Sequence, residues 1–161
     1  MLLGRLGEPR GAFRIQVNLA GPWLEFRLIE IDESLPSLTF PPPIENDSLV
    51  LPFGVGRWIR KPLEGREFYP FFSRLNMRWF GGMRGDNAWM AIFPESNFAD
   101  SGGMLAQLAI SPVWLKSFGK WSEPRAVSYR FLRGGYQQLA MAYRAWAMEN
   151  GLHRDLTEAH G

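Results

Sequence analysis

Seven tryptophans are spread along the 161 residues, and three of them sit next to a basic side chain. Trp58 follows Arg57, Trp79 follows Arg78 and Trp121 follows Lys120. A flat apolar plate beside a hydrogen-bond donor suits a sugar ring, whose C–H face stacks while its hydroxyls accept hydrogen bonds. The same pairing also suits contact with a neighbouring domain, or packing in a core. Trp58, Arg78, Trp79 and Trp121 are therefore the candidate carbohydrate-contact or interface residues. Trp89, Trp114 and Trp146 lie in regular apolar surroundings and are assigned to the core.

Catalytic patterns are weak. There is no Gly-x-Ser-x-Gly elbow, and the absence of cysteine removes Cys–His chemistry, disulfides and thiolate metal sites. His153 and His160 both fall in the polar tail, with no His-Glu-x-x-His pair, so no metal site is assigned. Gly54-Val55-Gly56 lacks the third glycine of a dinucleotide loop, Ile59 standing in its place, and lacks the Lys and hydroxyl of a nucleotide phosphate loop; it reads as a bend. Glycoside hydrolysis needs two carboxylates facing each other across a cleft. Asp86, Glu95 and Asp100 fall on loops, and nothing in their spacing fixes a pair. No catalytic residue and no cofactor is assigned.

Composition narrows the class further. The chain is 46% hydrophobic, 14% aromatic and 21% charged, with 18 basic against 16 acidic residues, which describes a folded domain rather than a disordered one. A chain of this length is expected to form one domain that buries roughly 70% of its unfolded surface. The densest basic stretch, Arg57, Arg60, Lys61 and Arg66, is interrupted by Glu64 and Glu67, so no nucleic-acid partner is expected. No apolar run reaches the roughly 18 residues of a spanning helix, so no membrane partner is expected either. The opening residues Met1-Leu2-Leu3-Gly4-Arg5 do not form a signal peptide, and the expectation for the chain as written is a cytoplasmic protein.

The elements that would position these residues are mostly strands. Phe13, Ile15, Val17 and Leu19 alternate with polar residues, as do Leu24, Phe26 and Leu28, and Gly21-Pro22 lies between the two runs: an antiparallel hairpin. Half of the 12 prolines fall within 32–67, so only short edge pieces are expected there, at 37–40 and 55–59. Leu38, Phe40, Leu49, Leu51, Phe53 and Trp58 nevertheless mark this stretch as packed. Further strands are expected at 77–80, 88–93, 104–111 and 126–132, with a glycine-rich connection at 81–87 and a polar surface loop at 93–103. The continuously apolar run 88–93 reads as buried on both faces. After Gly134-Gly135, the residues Tyr136, Leu139, Ala142, Tyr143, Trp146 and Ala147 form one apolar face of a helix, which Asn150-Gly151 should stop. The fold class is thus mostly β, an antiparallel β-sandwich with one C-terminal α-helix. The expected divisions are an N-terminal arm at 1–11, the sandwich at 12–133, the helix at 134–151 and a tail at 152–161.

Five stretches taken in order carry a resemblance. They are Leu51-Pro52-Phe53-Gly54-Val55-Gly56, Met77-Arg78-Trp79-Phe80-Gly81, Trp89-Met90-Ala91-Ile92, Pro112-Val113-Trp114, and Tyr136-Gln137-Gln138-Leu139-Ala140-Met141-Ala142-Tyr143-Arg144 running on to Asn150-Gly151-Leu152. Over roughly 12–157 the chain resembles the β-sandwich domain that precedes the catalytic barrel in glycoside hydrolases of the endo-α-N-acetylgalactosaminidase-like kind and in related hydrolase-like proteins. That sandwich is similar to the galactose mutarotase supersandwich. The resemblance implies that the helix leads from sandwich to barrel, and that the catalytic carboxylates lie in a barrel not contained in these 161 residues. It further implies a supersandwich lacking its first strands: a fragment, a split-gene product or a stand-alone module. The partner it implies is a catalytic barrel domain or subunit, with glycan as a further contact. Two other readings stay open: a free-standing carbohydrate-binding module, and a small mutarotase-type enzyme.

Overall fold

The structure, a computed structural model, describes residues 11–70, 77–94 and 101–152. Twelve strands and one helix are found among them. The strands are β1 (Phe13–Ala20), β2 (Trp23–Ile31), β3 (Ser37–Thr39), β4 (Ile44–Glu45), β5 (Ser48–Leu51), β6 (Arg57–Ile59), β7 (Leu63–Pro70), β8 (Trp79–Arg84), β9 (Asn87–Ile92), β10 (Ser101–Gln107), β11 (Ala109–Leu115) and β12 (Arg125–Arg133). Helix α1 is Tyr136–Glu149. A seven-stranded sheet runs β1-β2-β12-β9-β8-β5-β6, and a smaller sheet runs β3-β11-β10-β7, with β4 also paired to β11. All pairings are antiparallel. The two sheets face each other as a β-sandwich, and α1 covers the outer face of the larger one.

The period-two rule explains this three-layer arrangement. Along β9 and the residue after it, Trp89, Ala91 and Phe93 point into the sandwich core, while Ala88, Met90 and Ile92 point to the helix side. Strand β5 does the same, with Leu49 and Leu51 in the sandwich and Val50 beneath the helix. On the helix, Leu139, Ala142, Trp146 and Ala147 close this second core. The unbroken apolar run at 88–93 thus reflects two covered faces, as its composition implied. Gly81 fits the same close packing: a Cβ there would lie 2.5 Å from the Trp89 carbonyl oxygen and 3.5 Å from Leu139.

Three features differ from the sequence reading. The proline-rich region contains an interior strand, β5, because Pro43 and Pro52 flank it and leave its own ladder donors intact. It also contains the eight-residue strand β7 at an edge of the smaller sheet. The stretch 104–111, read as one strand, is a hairpin of β10 and β11 that turns at Gln107-Leu108. Gln107 adopts φ 56° there without the glycine or asparagine that usually signals such a turn. Gly81 and Gly82, read as part of a loop, belong to β8, and the turn lies at Gly85-Asp86. Of the polar loop expected at 93–103, residues 95–100 lie outside the described residues and 101–103 begin β10.

Asn46 pins the two sheets together. Its amide nitrogen donates to the carbonyls of Ile44 (2.6 Å) and Leu108 (3.0 Å), and its oxygen accepts from the Trp89 indole at 2.6 Å. The helix ends are closed in the expected way. The Gly135 amide donates to the Gln138 side chain at 3.0 Å, and Gly151 takes φ 66° while the Leu152 amide bonds the Ala147 carbonyl at 2.8 Å.

Two stability measurements follow. Trp146 is 8% exposed, so Trp146→Ala should cost about 3–5 kcal/mol in urea unfolding; a loss below about 1 kcal/mol would mean that α1 is undocked. Asn46→Ala leaves the Trp89 indole and two carbonyls without their partner, and should cost about 2–4 kcal/mol. An unchanged denaturation midpoint would remove Asn46 as the link between the sheets.

Candidate functional site

The β5–β6 hairpin and the first turn of α1 enclose a groove of about 400 Å³. The turn 53–56 forms one rim, with Gly54 at φ 58°, Gly56 at φ 97° and the Gly56 amide bonded to the Phe53 carbonyl at 2.9 Å. Gly54-Val55-Gly56 is therefore the turn of a hairpin, and it carries Val55 fully into solvent. Trp58 stands on β6, 50% exposed. The Arg60 guanidinium covers its ring at 3.7 Å, and Tyr136 lies nearly parallel to it with centroids 6.4 Å apart. Met77 completes the wall and Trp79 the floor.

The four candidate residues fall in different surroundings. Trp58 and Trp79 meet at the groove. Trp79 is only 4% exposed, and its ring packs on Tyr143 at 5.8 Å, so most of it serves the core beneath α1. Arg78 is half-buried beside this floor, close enough to Tyr143 to draw its pKa down, although burial dominates and pushes that hydroxyl up. Trp121 lies elsewhere, half-buried against the sandwich core. Its indole donates to the Leu35 carbonyl at 3.0 Å, and the buried Arg125 guanidinium sits 6.0 Å from its ring. Arg125 itself holds the neighbouring turn through the Leu115 carbonyl and the Ser117 hydroxyl, both at 2.8 Å. Trp89, Trp114 and Trp146 are buried at 4%, 0% and 8%.

Tyr136 was missed as a groove residue. Its place in the helical repeat assigned it to the core, yet at 51% exposure it faces the groove, because it opens the helix at the margin of the sheet. The repeat also hid a second stripe. Met141 and Met148 are 69% and 56% exposed, and exposed Arg144 and Ala145 lie between them. Leu152, 53% exposed, follows past the helix end. Helix α1 therefore has a docked apolar face and an outer side on which Met141, Ala145 and Met148 are interleaved with Gln138, Arg144 and Glu149.

The chemistry on offer here is contact. The described lining of the groove contains one charged residue, Arg57, and no carboxylate. Arg57 donates to the Tyr69 hydroxyl, which donates to Glu67, each at 2.7 Å, a chain that ties β6 to the edge of the smaller sheet. Asp86 sits exposed on the β8–β9 turn and is not part of the groove lining, and Glu95, Asp100, His153 and His160 lie outside the described residues. Among the described residues no group of three or more His, Cys, Asp or Glu could hold a metal ion, and no helix is long and apolar enough to cross a membrane.

No family model and no curated protein matches the sequence. Solved structures do match the fold. An α-N-acetylgalactosaminidase from Bifidobacterium bifidum, in complex with Gal-NHAc-DNJ, superposes with a TM-score of 0.76 at 19% identity over 91% of this chain. Its ligand-free form gives 0.75 at 20% identity over 91%, and its GalNAc complex 0.73 at 17% over 92%. The chain spans only 27–28% of the length of those enzyme chains. The likeness establishes a shared fold with part of a larger protein.

The two groove tryptophans should separate in stability. Trp79→Ala is expected to cost about 3–5 kcal/mol, and Trp58→Ala less than about 1 kcal/mol, both read by urea unfolding. A loss at Trp58 equal to that at Trp79 would place Trp58 in the core instead of at the groove.

Proposed function

We propose that this chain is a non-catalytic β-sandwich module of a carbohydrate-active enzyme, a glycoside hydrolase, and that it braces a catalytic barrel. The observation that carries the reading is the pair of exposed methionines on the outer side of α1, set among Gln138, Arg144 and Glu149. Met141, Ala145 and Met148 lie in the open on a helix whose other side is already docked, with exposed Leu152 just past its end, and exposed apolar side chains gathered in this way suit a contact with another domain. The likeness of fold to roughly a quarter of an α-N-acetylgalactosaminidase supports it. So does the resemblance of the helix and its Gly151-Leu152 exit to a sandwich-to-barrel connection, within a sandwich of the galactose mutarotase kind. In this reading residues 12–133 form the module, 134–151 the helix that links it to the barrel and 152–161 a tail. Trp58 and Tyr136, with Arg78 and Trp79 behind them, lie at the margin of the docking face and form one wall of the sugar cleft. Trp121 serves the sandwich itself.

A free-standing carbohydrate-binding module is the second reading, favoured by the exposed Trp58 ring beside Tyr136. Tryptophan fluorescence distinguishes the two. Titration of the isolated chain with N-acetylgalactosamine should leave the emission flat if the wall needs a barrel opposite it; saturable quenching that Trp58→Ala abolishes would favour the free-standing module. The bracing role is tested by co-expressing the chain with a barrel encoded beside its reading frame. The two should co-purify, and Met141→Glu with Met148→Glu should separate them. Flanking sequence that encodes no barrel would contradict the proposal.

A further inference from the structure

The exposed sheet edges are protected unequally. Strands β6 and β3 are three residues long, too short to template a neighbour. Strand β7 is longer, but it carries Glu64, Arg66 and Glu67, has Gly65 at φ 80° and ends on Pro70. Short length, charge, irregularity and proline are the usual protections of an edge. Strand β1 is the least protected: its one irregularity is a register shift against β2 between Arg14 and Ile15. It is eight residues long, without proline or glycine, and its single charge is Arg14. Among the described residues nothing pairs with its outer edge. Its apolar row begins under the smaller sheet with Phe13 and Ile15 and continues into solvent, with Val17 and Leu19 56% and 78% exposed.

We propose that β1 recognises a second copy of this chain, the two strands pairing antiparallel about a two-fold axis at Gln16. Side chains of opposed residues share a face, so this register is self-consistent. Ile15 meets the second copy's Val17 and Phe13 meets its Leu19, which covers the exposed end of the apolar row. On the other face Arg14 meets Asn18, and Gln16 meets Gln16. The charges are complementary. Arg14 is already paired with Glu30 at 2.9 Å, and Asn18 donates to Glu25 at 3.4 Å. Each Arg14 therefore arrives beside an Asn18–Glu25 pair, and no like charges oppose one another. The pairing joins two seven-stranded sheets into one and supplies main-chain hydrogen bonds that β1 otherwise leaves to water. It rests on the edge alone.

The self-opposed position gives the test. The purified 161-residue chain is followed by sedimentation velocity up to about 200 µM, a range that resolves micromolar association. The wild type should sediment as a dimer at the upper end. Gln16 is exposed, so Gln16→Lys and Gln16→Glu should leave the fold intact, as checked by tryptophan near-UV circular dichroism. Each variant places like charges face to face and should weaken association by at least about tenfold. An equimolar mixture of the two should restore the dimer. A wild type that stays monomeric overturns the proposal, and would point to a strand of a longer parent chain or to residues 1–10 or 153–161 as the occupant of the edge. Variants that dimerise as the wild type does, or a mixture that stays monomeric, overturn it as well.

Discussion

The fold depends on the central strand β9 being sealed on both faces. Every apolar side chain from Ala88 to Phe93 is committed, alternately to the sandwich and to the helix layer. The sheet therefore cannot be stable as half of a two-layer sandwich with one wet face; α1 is part of its core. The close approach this demands is visible in Gly81 and Gly82. Added carbon atoms there would collide with the Trp89 carbonyl oxygen in the first case, and with the Asn46 amide and the Trp89 indole in the second. The same Trp89 receives Asn46, so the contact that sets the spacing between the sheets and the one that fixes the central hairpin converge on one residue.

This arrangement governs what the surface can do. Because α1 docks through Leu139, Ala142, Trp146 and Ala147, with Tyr143 packed beside them, Met141, Ala145 and Met148 face outward. Its first residue, Tyr136, falls at the margin of the sheet next to the β5–β6 turn, and the groove is the gap between them. The groove is therefore a consequence of the helix docking. Its aromatic walls equip it for stacking and apolar contact, and among the described residues its lining holds one charged side chain, Arg57, and no pair of facing acids of the kind that glycosidic cleavage requires.

Much of this architecture is legible in the amino-acid order, for reasons that differ by element. The β1–β2 hairpin and α1 are visible because their periodicity is clear and Gly21 and Gly151 mark their ends, and β9 because its apolar run is unbroken. Strands β5 and β7 are hidden by surrounding prolines, whose effect is local to their own amides. The β10–β11 turn is hidden because Gln107 accepts a positive φ without announcing it. The candidate site was readable only in part. Adjacent basic residues picked out Trp58, but also Trp79 and Trp121, because adjacency along a strand puts neighbours on opposite faces and says nothing about burial. The role of Tyr136 depends on where the helix begins relative to the sheet margin, which no local pattern encodes.

The account's central claim is that this chain supplies contact and support while the reactive acids belong to another domain. The most direct measurement is turnover of an aryl α-N-acetylgalactosaminide by the purified chain. The account predicts a rate indistinguishable from buffer. Turnover that disappears on substituting one carboxylate among Asp86, Glu95 and Asp100 would contradict it.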